Sequence, residues 1–304
     1  MTQLLNALPG ALAQGLIWGV MAIGVYITYK VLDIADLTVD GSICTGAAVC
    51  TMLLLGGQSP WLALLCAVLA GVLAGAVTGL LHVGLGIPPI LAGILTQMVL
   101  WSVNLKLLGK ANQALPARTT PVLLSQMDVG GALPVLLGFC VVLVALLVLF
   151  FGTELGCALR ATGCNPVMSR AQGVNTGLMK IIGLALSNGV VALSGALLCQ
   201  YQGYTDVNMG RGAVVIGLAA VVIGQAVLGR RGGRMAVQLG GVILGAVIYY
   251  IVYQVIIFVG FDTDLLKMFS AVVVAVFLGA PHVKAQLKAH SRSKKGDSGH
   301  AENE

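Results

Sequence analysis

Three features of this sequence predict an all-α integral membrane protein with about nine spanning helices. Hydrophobic residues make up 58% of the 304 and charged ones only 9%, where soluble domains carry about 25% charge. The mean hydropathy is +0.97. The apolar residues fall into runs close to the ~20 residues that a helix rising about 1.5 Å per residue needs to cross a bilayer. Those runs place spans at 10–29, 39–57, 60–81, 88–107, 132–151, 178–199, 212–229, 235–259 and 264–280. Eight and ten are the neighbouring counts.

Taken in order, residues 1–9 lack the basic start and small-residue cleavage site of a signal peptide and are expected to lie along the membrane surface. Residues 1–281 form one transmembrane domain. Residues 282–304 form a polar, Ser/Lys-rich tail with the composition of a disordered segment. Within the spans, small residues recur four apart, at Gly71, Gly75 and Gly79, at Gly15 and Gly19, and at Gly241 and Gly245. That spacing lets helix backbones approach closely.

Orientation follows from the basic residues. With the tail on the cytoplasmic side, twelve of the 17 Lys and Arg, including Arg160, Arg170, Arg230, Arg231 and Arg234, fall on that side. Lys106, Lys110, Arg118, Arg211 and Lys267 fall on the other. The positive-inside rule selects this arrangement, and an odd number of spans then puts the N-terminus outside. The net charge of +6 comes from those loops and the tail, so it calls for no nucleic-acid partner.

Several chemistries find no footing in the chain. The spans hold almost no ionisable side chain of the kind that ion-driven carriers place at mid-membrane. No G-x-x-x-x-G-K-[ST] motif occurs, and G-R-R-G-G-R (229–234) lacks its Lys-Ser/Thr ending. The seven cysteines form no C-x-x-C pair, and the four histidines are spread over loops and tail, so no metal site is assigned. Ser42 and Ser194 lie in or beside spans, remote from every histidine, which excludes a Ser-His-Asp set.

The most informative segment is Glu154 to Thr176, E-L-G-C-A-L-R-A-T-G-C-N-P-V-M-S-R-A-Q-G-V-N-T. Asn165 followed by Pro166 is an N-cap with proline at the first helical position, and Gly173 is placed to end a very short helix. Gly163 is expected to stop the helix before it. The resulting helix–turn–helix would carry Arg160 and Arg170 outward and Val167, Met168 and Ala171 on one side. Such a piece suits docking into a partner's groove; an ordinary capped loop is the other reading.

A second signal is an internal echo. An apolar helix, A-D-L-T-V-D-G-S (Ala35–Ser42) and a small-residue helix are matched later by an apolar helix, T-D-V-N-M-G-R-G (Thr205–Gly212) and another small-residue helix. Asp36 corresponds to Asp206. With nine spans the two copies run in opposite directions, an inverted repeat of the transporter kind, joined by the fifth helix. Asp36, Asp40, Gly41, Ser42, Asp206, Asn208 and Gly210 then sit at turns before helix N-termini, where free N–H groups favour anionic or carbonyl groups. Each Asp is either part of a path or gate, or a cap on its own helix.

Three blocks carry a family resemblance: Leu32–Ala47; Gly156–Thr176 with R-A-T-G-x-N-P and S-R-A-x-G-V-N-T; and Val221–Gly245 with V-V-I-G-Q-A before G-R-R-G-G-R. Over nearly its whole length the chain resembles the membrane-spanning permeases of bacterial ATP-binding-cassette importers of the branched-chain amino acid and ribose type. The resemblance implies a type II-like importer fold in the bacterial inner membrane. It also implies a second permease copy, an ATPase dimer beneath and an extracytoplasmic solute-binding protein above. ATP and Mg would be held by the ATPase, with no cofactor and no enzymatic activity on this chain. Residues 154–176 would be the coupling segment, with Arg160, Gly163, Asn165, Pro166, Val167, Met168, Arg170 and Gly173 as its contact and shaping residues. The D-L-T-V-D-G turn departs from branched-chain permeases and looks more like a single-permease subgroup assigned to aromatic amino acids, which implies a homodimer. A neutral path lined by Gln97, Asn104, Asn188, Gln225 and Gln254 would suit a system whose binding protein selects the solute. The alternative is a self-contained secondary carrier or channel; a structural or assembly subunit is a third reading.

Overall fold

The chain folds in a computed structural model that describes residues 2–116, 120, 122–228 and 234–258, with positions 268, 272 and 275 in addition. Helix α1 (Thr2–Tyr26) continues into a π-helical turn (Ile27–Val31) and is followed by α2 (Val39–Leu55), α3 (Pro60–Gly84), α4 (Pro89–Leu108) and α5 (Val129–Gly152). The short α6 (Glu154–Cys164) and α7 (Pro166–Ala171) lead into α8 (Thr176–Gln202), α9 (Ala213–Leu228) and α10 (Met235–Phe258). The N-terminal residues from Thr2 begin α1, which carries Pro9 within it. The ninth expected span, 264–280, and the tail lie outside the described residues.

Among the described residues six helices are long and apolar enough to cross a membrane, whereas α2 and α9, of 17 and 16 residues, fall short. Their shortness is the key to the fold. Residues 32–38 turn back from the end of α1 into the bundle before α2 starts, and residues 203–212 do the same between α8 and α9. Both short helices therefore begin inside the bundle, with their N-termini facing each other.

Hydrogen bonds between helices set the directions. Ser194 and Ser187 of α8 donate to the carbonyls of Ile17 and Gly24 of α1, both at 2.7 Å, so these two helices are antiparallel. They form the centre: 78% and 72% of their apolar windows are buried, against 22% for α5, which presents its apolar surface outward. Helix α3 packs against α8 where Gly71 and Gly75 lie directly on the carbonyls of Asn188 and Leu184. In the matching place α10 packs against α1, with Val247 and Ile243 over Gly15 and Gly19. Pairing α1 with α8, α2 with α9 and α3 with α10 thus relates the two halves as an inverted repeat, with the third helix of each half lying on the first helix of the other.

At one end of the bundle, β1 (Asn112–Ala114) pairs antiparallel with β2 (Tyr204–Asp206), Asn112 opposite Asp206. This ribbon ties the α4–α5 connection to the α8–α9 connection. The α6–α7 segment lies at the opposite end.

Candidate functional site

The residues singled out from sequence gather in two places, the meeting point of α2 and α9 and the α6–α7 segment. At the first, Gly210 sits so close to α2 that any side chain would run into the Asp40 carbonyl and Ile43. Its N–H donates to the Cys44 sulfur at 3.1 Å. Two residues on, the N–H groups of Gly212 and Val214 donate to Asp40 Oδ2 and Oδ1 at 2.9 and 3.0 Å. Asp40 therefore caps α9, the short helix of the other repeat, and not its own helix as a local reading expects. The carboxylate stands where the free N–H groups and helix dipole favour negative charge.

Asp36 and Asp206 do the same local job in the two copies. Asp36 Oδ1 accepts from Thr38 N at 2.8 Å, and Asp206 Oδ1 accepts from Asn208 N at 2.6 Å. Each is an Asx turn that bends the chain before a short helix, which gives the sequence echo a structural meaning. Asp36 is also locked from behind. Asn188 Nδ2 donates to Asp36 Oδ2 at 2.8 Å and to the Leu184 carbonyl at 2.9 Å, while Ser42 Oγ donates to Asn188 Oδ1 at 2.6 Å. Thr38, Thr78 and Thr96 extend the buried network across α3 and α4 with hydroxyl contacts of 2.8 and 2.9 Å. Asp36, Ser42 and Asn188 are thus fully committed inside the bundle, where satisfied polar networks hold one arrangement.

Two grooves lie on either side of the 207–212 segment. A groove of about 590 Å³ is lined by Asp40, Gly41, Gln97, Trp101, Asn104 and Arg211, among others. On the far side, a groove of about 560 Å³ is lined by Trp18, Tyr249, Tyr253, Gln254 and again Arg211. Of the amide side chains expected to line a path, Gln97 and Asn104 border the first groove and Gln254 the second, while Gln225 is exposed towards the end of α9. Asn208 is exposed beside the first groove, its side-chain oxygen accepting from Trp101 Nε1 at 3.5 Å.

Arg211 is the residue that sequence reasoning misplaced. Counted with the outer connections, it is instead carried into the bundle to the level of Asp40, about 22 Å from the α2 end at Leu55 at 1.5 Å per residue. The available signal was that the apolar run after it is too short to span a bilayer, so its start must lie inside.

The α6–α7 segment is built as expected at its second helix. Asn165 Oδ1 accepts from the N–H groups of Val167 and Met168 at 3.1 and 3.0 Å, with Pro166 at the first helical position. Gly173, at φ 85°, takes the left-handed conformation that ends the helix. Gly163 does not stop α6, which runs on to Cys164. Its missing side chain is used differently, letting α6 rest on the backbone of Val31 and Leu32 at the end of the π-helical turn. Leu159 is fully buried beneath the segment, while Val167 and Met168 are 75% and 59% exposed. Arg160 turns back to the Phe151 carbonyl at 3.1 Å, and Arg170 Nε donates to Thr176 Oγ1 at 2.9 Å. Both arginines are exposed, but they brace the segment as well as face outward.

Comparison with known proteins follows this geometry. The family described as branched-chain amino acid transport system / permease component matches residues 8–280. A tyrosine transport system permease protein of Clostridioides difficile is 37% identical over 93% of this chain and 94% of its own length. An uncharacterised protein of Rickettsia prowazekii is 33% identical over 91% of this chain and 98% of its own. The autoinducer 2 import system permease protein LsrC of Escherichia coli is 29% identical over 67% of this chain and 60% of its own. No solved structure matches.

Proposed function

Because the chain belongs to the family of permease components of branched-chain amino acid transport systems, we propose that it is the membrane-spanning permease subunit of a binding-protein-dependent ATP-binding-cassette importer for an amino acid or related small solute. The observation that carries the coupling role is α7, a six-residue helix capped at both ends that holds two large apolar side chains, Val167 and Met168, out in the open. A rigid apolar knob at one end of a membrane bundle fits a groove of a partner ATPase. In this reading a dimer of ATPases docks there and holds the ATP and Mg, and this chain performs no chemistry of its own. A second copy of the permease completes the path, and an extracytoplasmic binding protein delivers the solute. The membrane is the bacterial plasma membrane, with the 282–304 tail and the coupling segment on its cytoplasmic side.

A continuous set of contacts supports coupling. Movement of α7 is passed through α6, whose Gly163 rests on Val31 and Leu32, to residues 32–38 and so to Asp36 and the N-terminus of α2. Closure of the ATPases would then tilt α2 against α9 at their shared Asp40 junction, a rocking change of the kind that exposes a site to alternate sides. The similarity to a tyrosine transport permease favours an aromatic amino acid as the solute.

The test is co-purification of the detergent-solubilised chain with ATP-binding-cassette ATPases of the same organism, for the wild type and for Val167→Asp with Met168→Asp. Charge placed at an apolar docking surface should abolish ATPase capture and uptake while the permease still elutes as a single folded species. Undiminished, ATPase-coupled uptake by that double variant would overturn the docking role. Uptake that needs no ATPase at all would establish the self-contained carrier instead.

A further inference from the structure

Two side chains in the groove between α2, α4 and the 207–212 segment have no polar partner among the described residues, one of them exposed to the groove and one buried beside it. The first is Arg211. It lies at the level of Asp40 along the bundle, exposed to the groove it lines, and its guanidinium makes no hydrogen bond or ion pair among the described residues. Asp40 makes no ion pair with it, and its two carboxylate oxygens accept backbone N–H groups at the start of α9. Asp206 is similarly engaged with Asn208 N and with Asn112 Nδ2 at 2.6 and 3.5 Å. Cations at membrane depth are costly and face water-filled or ligand-filled cavities. The second is Asn104 on α4, which is 1% exposed with neither Nδ2 nor Oδ1 hydrogen-bonded among the described residues. A buried amide with no partner is rare in folded proteins and costly, so each such group asks for a missing ligand or water. Both residues line the same groove, together with Gln97 and the half-open face of Trp101.

We propose that this groove is a mid-membrane station for a small organic carboxylate, with Arg211 receiving the carboxylate, Asn104 and Gln97 supplying amide hydrogen bonds, and Trp101 supporting an apolar or aromatic part of the solute. The planar guanidinium fork matches a carboxylate in two-point fashion. The proposal rests on the permease reading and specifies the solute's chemistry. A cation on the segment between two grooves would hold a carboxylate on either side of the 207–212 turn, because Arg211 lines both. That arrangement suits passage better than retention.

The probe pair is 4-hydroxyphenylacetate and its uncharged amide, added to the purified full chain in detergent. The carboxylate should raise the unfolding temperature of the wild type more than the amide does. Arg211→Gln should erase that difference, Arg211→Lys should keep part of it, and Asn104→Leu should reduce it. A measurement on the wild type alone complements these: the carboxylate, but not the amide, should slow phenylglyoxal modification of Arg211, read by peptide mass spectrometry, about threefold or more at a well-occupied site. An equal carboxylate preference in Arg211→Gln, or no preference and no protection in the wild type, would overturn the proposal. ATPase capture separates the two readings. Capture without carboxylate preference leaves the permease standing and removes this site, whereas carboxylate preference without any ATPase leaves the site standing and removes the importer.

Discussion

Asp40→Ala tests whether the two inverted halves are held together where their short helices meet. In the native chain the carboxylate accepts two backbone N–H groups at the start of α9, at 2.9 and 3.0 Å. Hydrogen bonds to a charged group contribute about 1.5–3 kcal/mol each, and the favourable place at a helix N-terminus adds about 0.3–1 kcal/mol. Asp40 is only half-buried, which argues for the lower part of those ranges, so the alanine variant should lose about 3–5 kcal/mol. Asp40→Asn keeps one side-chain oxygen as acceptor and should lose about half as much. The assay is unfolding in mixed micelles of mild detergent and SDS, followed by far-ultraviolet circular dichroism, with solute uptake measured in parallel. Alanine should fall furthest in both, with asparagine between it and the wild type. If Asp40→Ala stays within about 1 kcal/mol of the wild type, α9 does not depend on α2 for its cap, and the coupling route drawn through this junction fails.

Two further outcomes follow from the packing. Gly75→Val should cost about 1–3 kcal/mol or more by forcing α3 off the α8 backbone at Leu184 and Ala185, whereas Gly138→Ala, which meets nothing within 4 Å, should be neutral or stabilise by up to about 1 kcal/mol; the same micelle titration decides, and equal effects would contradict the close α3–α8 contact. Asn188→Leu should cost about 3–5 kcal/mol because it strands an Asp36 oxygen and the Ser42 hydroxyl, and adding Ser42→Ala should recover part of that loss; a double variant no better than the single one would show that the network is not shared.

Much of the site was legible locally. Asn165, Pro166 and Gly173 shape α7 as their types dictate, because caps, a proline at the first helical position and a left-handed glycine act within a few residues. The Asp36–Asp206 echo was legible for the same reason, since an Asx turn is closed by the N–H two residues on. Gly163 was misread because a glycine near a helix end looks like a stop until the element that lies on it is known. Asp40 reads from the sequence as part of a path or as a cap for its own helix, because the helix it caps begins about 170 residues further on.

The sequence alone therefore determined that this chain lives in a membrane, where its apolar runs lie and which turns bend it, since hydropathy and short-range hydrogen bonding depend on neighbours along the chain. Only the tertiary structure decided that α2 and α9 start inside the bundle, that Asp36, Ser42 and Asn188 are locked together while Asn104 has no partner among the described residues, and that Arg211 lies at the level of Asp40 on a groove. These are outcomes of which helix lies against which. In a chain whose spans are almost uniformly apolar, that choice is made by close backbone contact at residues such as Gly71, Gly75 and Gly210, and the sequence pattern does not state their partners.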